Sequence, residues 1–228
     1  MQPPNQPAPS ATLVFMPRAA IKGRGTARAI EHRFTSRRHE SFDDGWGTLE
    51  QAAQEEQSAP GTQIIEQTVK SILSGNDSPD IPFDLSINPY RGCEHGCVYC
   101  FARPTHSYLN LSPGLDFETK IIAKVNAVDR LRAALASPCY EPLPLNIGSA
   151  TDAYQPVERR LRITRGLIEV LAEFRHAFSI ITKSSGVERD IDLLGPLARD
   201  NLAAVYVSVP TLDSALVWLR RDLRADDN

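Results

Sequence analysis

From Lys120 onward the chain alternates short apolar runs with amphipathic stretches, and that alternation limits the fold more than any other feature. Lys120–Val125 (KIIAKV) is β-prone, and Asn126 is a candidate N-cap for a helix running to Ala136. Leu143–Ile147 reads as a strand. A helix is expected over Arg160–Arg175, where Ile163, Leu167, Val170, Leu171 and Phe174 recur on one helical face. Phe178–Thr182 (FSIIT) reads as a buried strand and Ile191–Ala198 as a helix weakened by Gly195-Pro196. Ala204–Val209 reads as another strand and Leu212–Leu223 as another helix. Strand, helix, strand, helix with short links predicts parallel strands joined by crossovers, an α/β class. A barrel and an open sheet satisfy this periodicity equally well.

Before Lys120 the pattern is less regular. Thr68–Leu73 reads as a short helix closed by the turn residues Gly75-Asn76-Asp77, and Asp84–Pro89 as an extended segment. Residues 1–60 read as a flexible, partly basic N-terminal extension: prolines crowd residues 3–9, seven Lys or Arg fall between Arg18 and Arg38, and an acidic, Gln-rich stretch follows. The core is therefore expected over 61–228. The net charge of −3 gives no support to a strongly basic nucleic-acid coat. The local basic segment remains a candidate nucleic-acid contact, with a solvated tail as the competing reading. No apolar run reaches 18 residues, so no membrane-spanning helix is expected. The N-terminus lacks the order of a secretory signal and the clean amphipathic face of a mitochondrial presequence, and the expected location is cytoplasmic.

Four cysteines are present, and three of them, Cys93, Cys97 and Cys100, lie within eight residues. Such clustering is unlike a secreted disulfide framework and favours a metal. Gly92 and Gly96 permit the backbone angles that a tight wrap around a metal needs. Three thiolates leave one iron of a four-iron cluster without a protein ligand, and an open position marks a catalytic metal. A structural zinc site completed by His95 or His106, and a redox dithiol at Cys97-x2-Cys100, are the alternatives. Cys139 stands alone and reads as a packed core thiol.

The Cys-x3-Cys-x2-Cys spacing, with Tyr99 before the last cysteine, resembles the radical S-adenosylmethionine superfamily. The run SINPYRGCEHGCVYCFARPTHSYLNLSPGLDFETKI is similar to its subfamily related to spore photoproduct lyase, labelled DNA-repair-photolyase-like. So are GSATDAYQPVE (148–158), the Thr-Lys of ITKSSGVERDIDLL (181–194) and the VSV of the last strand. The resemblance implies a partial (β/α) barrel. It implies a [4Fe-4S] cluster on Cys93, Cys97 and Cys100, and S-adenosyl-L-methionine held by Tyr99, Ser149, Thr151, Asp152, Lys183 and Ser208. It also implies a one-electron reductant of the flavodoxin or ferredoxin type and an enzyme of lyase or modification type.

Asn88, Tyr90 and Arg91 before the cluster are candidates for the cavity wall, and Arg103, His106 and Tyr108 after it for substrate contact. Two departures bear on function. Ser149 occupies the position of the cysteine that returns hydrogen in spore photoproduct lyase, so repair of the spore thymine lesion is not expected. The stretch SALVWLRRDLRADDN leaves the family pattern after four strand–helix units, which predicts a truncated chain or a shifted reading frame near residue 214. The rival to a radical enzyme is a non-catalytic zinc or iron-sulfur protein, or an inactive remnant.

Overall fold

The computed structural model describes residues 24–26, 30, 34 and 61–212. The helix expected over Leu212–Leu223, and most of the N-terminal extension, lie outside the described residues. Among the described residues, eight strands form two sheets. β1 (Gln63–Gln67), β5 (Lys120–Lys124) and β4 (Tyr90–Arg91) form the smaller one, with β1 parallel and β4 antiparallel to the central β5. The larger has the order β2 (Leu73–Gly75), β3 (Leu85–Ile87), β6 (Leu145–Ile147), β7 (Phe178–Thr182), β8 (Ala203–Val207). Its last four strands run parallel, as the alternating pattern predicts. Lys120–Lys124 is a strand as expected but belongs to the smaller sheet, and β3 takes the place beside β6.

The helices are α1 (Asp116–Thr119), α2 (Ala127–Leu135), α3 (Glu158–Leu161), α4 (Ile163–Glu173) and α5 (Ile191–Arg199). Leu131 of α2 and Leu167, Ile168 and Leu171 of α4 are fully buried in one core with Leu145, Ile147 and Ile180 of the sheet. Each such side chain contributes on the order of 1.5–3 kcal/mol through burial. On the opposite face, Asn146, Ser179 and Ala204 share one register row and Ile181 and Tyr206 the next. They line an open cavity of about 660 Å³. No helix among the described residues is long and apolar enough to cross a membrane.

Four expectations need correction. Thr68–Leu73 is not helical: the side chain of Asn126 accepts from Val69 N–H (2.9 Å) and donates to its carbonyl (3.0 Å), which holds that stretch as a link between β1 and β2. Asn126 precedes α2 but is spent on Val69 and makes no side-chain cap. The single helix over Arg160–Arg175 is two, parted by Arg162 in the left-handed region (φ 53°). The break is held by Glu158, whose carboxylate turns inward and accepts from the backbone N–H of Thr164 (3.0 Å) and Arg165 (3.4 Å), the first turn of α4. Cys139 is exposed rather than packed, because the turn after α2 carries it away from the sheet.

Two predictions follow from this packing. An added Cβ at Gly166 in α4 would sit 2.7 Å from Val128 Cγ2 in α2. Helix propensity alone makes Gly166→Ala stabilising by about 1 kcal/mol. The close crossing reverses the sign, and we expect a loss of about 1–2 kcal/mol in denaturant unfolding, recovered when Val128→Ala is added. Lys124 is 7 % exposed with no ion pair among the described residues. Burial first, and the Arg91 charge second, pull its ammonium down to about 8 from the usual 10.5. The folded chain therefore binds this proton less tightly than the unfolded chain, so stability rises as pH rises from about 8 to 10.5. Lys124→Met removes the penalty, and a gain on the order of 2–3 kcal/mol at pH 7 is expected by denaturant titration.

Candidate functional site

β3, β6, β7 and β8 end at the same edge, and the chain leaves them through Asn88, Gly148, Lys183 and Ser208. Gly148 N–H donates to the Ile87 carbonyl (3.0 Å) and Ser208 N–H to that of Thr182 (2.8 Å), so the ladder carries these exits into one row. The side chain of Asn88 bridges to the next loop, donating to Ser149 Oγ (3.0 Å) and accepting from Ala150 N–H (2.7 Å).

The cysteine loop is mounted directly on this row. Gly92 opens it at φ +82°, and an added Cβ there would lie 2.8 Å from the Phe117 carbonyl oxygen, so only glycine fits. Cys93 N–H donates to that same carbonyl (2.9 Å). The carbonyl of Gly92 accepts from Thr151 Oγ1 (2.7 Å) and Gln155 Nε2 (3.3 Å). Gln155 Oε1 in turn accepts from Glu94 N–H (3.0 Å), while Glu94 Oε2 accepts from Val157 N–H (2.9 Å). Sequence-distant segments 92–94 and 151–157 are thus sewn together edge to edge.

Cys93 is buried with Ala102 and Phe117, and Cys100 and Ala150 pack against that cluster. Burial first, and the Asp152 charge second, push the Cys93 thiol up to about 12. Cys97 and Cys100 are half-buried, and none of the cysteines is in a disulfide. Among the described residues, no three Cys, His, Asp or Glu side chains stand together as a ready metal-binding group. The donor chemistry of the loop nonetheless suits iron-sulfur ligation: three thiols, soft once deprotonated, on one short loop. The histidines proposed to complete a zinc site are engaged elsewhere. His95 Nε2 stands 3.2 Å from Asp152 Oδ2, and His106 Nε2 lies 3.0 Å from the Lys120 carbonyl with its ring edge-on to Phe117.

Asp152 is the centre of the arrangement. It is 8 % exposed, and its carboxylate accepts from Thr182 Oγ1 (2.6 Å), Lys183 N–H (2.8 Å) and Tyr154 N–H (2.9 Å) besides facing His95. Burial would raise its pKa, but His95, Thr182 and the Lys183 amide together hold it down at about 2. Its oxygens are thus committed to protein donors. Thr151 is committed to Gly92. Ser149, Lys183 and Ser208 are half-buried beside them, and the Lys183 ammonium has no ion-pair partner among the described residues. Tyr99 is 61 % exposed.

Of the flanking candidates, Tyr90 and Arg103 are structural. Tyr90 is buried with its hydroxyl donated to Glu158. Arg103 pairs with the buried Glu118 and donates to the Cys97 carbonyl (3.0 Å). Tyr108 is exposed beside Phe34, their ring centroids 5.6 Å apart. Sequence reasoning missed Glu118, Gln155 and Glu158. Each is a polar residue whose burial depends on partners far along the chain, and no local pattern marks them.

Comparison with known proteins gives relatives without an assigned role. An uncharacterized protein of Mycobacterium tuberculosis is 40 % identical over 136 residues, which cover 60 % of this chain and 40 % of that protein. An uncharacterized protein of Mycobacterium bovis matches to the same extent. An uncharacterized protein of Methanocaldococcus jannaschii is 32 % identical over 131 residues, 58 % of this chain and 46 % of its own length. The chain therefore spans less than half the length of these curated relatives. No family model matches the chain, and no solved structure does.

Asp152→Asn tests the junction. The amide keeps the shape but turns an N–H2 toward at least one of the donors it must accept from. A loss of about 2–4 kcal/mol in unfolding free energy is expected. A loss below about 0.5 kcal/mol shows that the carboxylate does not hold the loops together.

Proposed function

We propose that this chain is a radical S-adenosylmethionine protein, with a [4Fe-4S] cluster on Cys93, Cys97 and Cys100 and S-adenosyl-L-methionine across the ends of β3, β6, β7 and β8. The observation that carries this reading is a three-cysteine loop, without disulfides, mounted against the Ser149–Asp152 turn at the C-terminal edge of a parallel sheet. In this reading that sheet is one wall of a partial (β/α) barrel. Cys93, Cys97 and Cys100 would hold the cluster, which would supply one electron for reductive cleavage of S-adenosyl-L-methionine and so the 5′-deoxyadenosyl radical chemistry that takes hydrogen from a substrate.

The chain's own residues bind and orient. Cys93, Cys97 and Cys100 give up their protons on ligation, and at Cys93 that proton loss must overcome burial. Lys183 suits a carboxylate, Ser149 and Ser208 suit neighbouring polar groups, and the Tyr99 ring suits an adenine face. Asp152 and Thr151 act one layer back, fixing the turn against the cysteine loop. Exposed Val98 and Phe101 give an apolar tip for a flavodoxin- or ferredoxin-type reductant. We assign the protein to the cytoplasm and to the lyase or modification type, with nucleic acid as the substrate class that the basic segment between Arg18 and Arg38 favours. Ser149 cannot serve as a thiol hydrogen donor, so the spore thymine lesion is not its substrate.

Anaerobic reconstitution with iron and sulfide tests this. Wild type and Cys139→Ala should turn brown with about four irons per chain. Cys93→Ala, Cys97→Ala and Cys100→Ala should each lose the absorbance. Loaded wild type, reduced in the presence of S-adenosylmethionine, should release 5′-deoxyadenosine. Colourless protein that takes up zinc alone sinks the radical reading in favour of a non-catalytic metal protein.

A further inference from the structure

The N-terminal segment reaches the cysteine loop at a point the sequence does not announce. Gly25 lies so close to Gly96 that an added Cβ would stand 2.0 Å from the Gly96 carbonyl oxygen. Gly25 N–H donates to Glu118 Oε2 (2.8 Å), and Arg24 Nη1 donates to the Glu118 carbonyl (3.0 Å). Arg24 Nη2 also donates to Thr62 Oγ1 at the start of the core (3.2 Å). Glu118 is fully buried, and its other oxygen pairs with Arg103. Arg103 Nε then donates to the Cys97 carbonyl (3.0 Å), and its Nη1 to that of Gly114 (3.1 Å). An added Cβ at Gly96 would lie 3.0 Å from Glu118 Oε2 and 3.1 Å from Gly25 N. Gly25 and the Glu118 carboxylate, bonded to each other, therefore meet the same face of Gly96, and Arg103 ties that carboxylate to the backbone of Cys97. Further along the segment, Ile30 N–H donates to Ser112 Oγ (2.6 Å).

We propose that Arg24 and Gly25 are positioning residues for the cysteine loop. They close over Gly96 and, through Glu118 and Arg103, fix the backbone that carries Cys97. The loop's role as a cluster site rests on the reading above; the clamp itself does not. Contact at Gly25 demands the absence of a side chain, because the atoms in the way belong to backbone rather than to the end of a flexible chain. A docked N-terminal segment also keeps solvent from one side of the loop, so the thiols should react more slowly in the clamped chain.

The test uses the full chain as wild type, Gly25→Ala, Glu118→Gln and Arg24→Ala, with Gly61→Ala as the control where an added Cβ meets nothing within 4 Å. The first readout needs no metal: the rate of iodoacetamide modification of Cys97 and Cys100, each normalised to the exposed Cys139 in the same chain. Gly25→Ala should accelerate Cys97 by about tenfold and Gly61→Ala not at all. Glu118→Gln, which keeps an acceptor for Gly25 but loses the Arg103 charge pair, should fall between. The second readout is iron and sulfide retained after anaerobic reconstitution, where Gly25→Ala should retain several-fold less and show a changed spectrum of the reduced state. If Gly25→Ala fails to fold, Arg24→Ala, which adds no atoms, carries the same comparison. Equal thiol rates across all variants overturn the clamp, whether or not iron binds. Separated thiol rates in a chain that never takes up iron support the clamp and overturn the cluster reading instead.

Discussion

The fold around the site hangs on the Asp152 carboxylate. It gathers a hydroxyl and an amide from the end of β7, an amide from its own turn and an imidazole from the cysteine loop. A buried anion is costly in a low-dielectric interior unless it is fully solvated by protein dipoles. Here it is, and the same bonds that satisfy it fix three loops at one height above the sheet. The exits of β6 and β7 and the middle of the cysteine loop become one surface, with Ser149, Lys183 and Ser208 half-buried around it.

A second polar knot lies beneath. Glu158 and Asp190 are buried and share Arg189, whose Nη2 lies 3.0 Å from Glu158 Oε1 and 2.8 Å from Asp190 Oδ2. Arg165 joins from α4 at 2.9 Å from Asp190. Tyr90 and Tyr154 donate their hydroxyls to Glu158 and Asp190, and burial first, then these carboxylates, raise both phenols well above the usual range. Ion pairs of this kind add little net stability, but leaving one member alone is expensive. Their effect is to specify one arrangement. Tyr90 stands just before the cysteine loop, so that loop starts from a backbone whose position the knot fixes.

What could be read from the sequence was what local periodicity encodes. Phe178–Thr182 is a strand with the expected bounds, and the parallel order of β6, β7 and β8 follows from the alternation of apolar runs. The grouping of the cysteines, the Gly148–Asp152 turn and Lys183 comes from the resemblance and not from periodicity. The failures share a cause. Val69, Ile72 and Leu73 have helical spacing, yet one distant amide, Asn126, holds their backbone extended. Arg160–Arg175 has an unbroken apolar stripe, yet Glu158 folds back and caps the helix from outside it. Gly25 and Glu118 are 93 residues apart, and nothing near either predicts the other. Periodicity reports which face is apolar; it carries no record of a polar side chain's remote partner.

The outer flank of β8 has a consequence for how this sheet can grow. From Leu202 to Leu212 the chain has no charged residue, and Val205, Tyr206 and Val207 are exposed at the end of the strand order. Edges usually carry a lysine, a bulge or a proline that discourages company. This one is bracketed rather than guarded: Asn201, in the left-handed region, turns the chain at one end, and Pro210 withholds an amide at the other. A hydrogen-bonded ladder along this flank has to end at the proline, whose nitrogen carries no hydrogen to donate, so the length of pairing here is set by the chain itself.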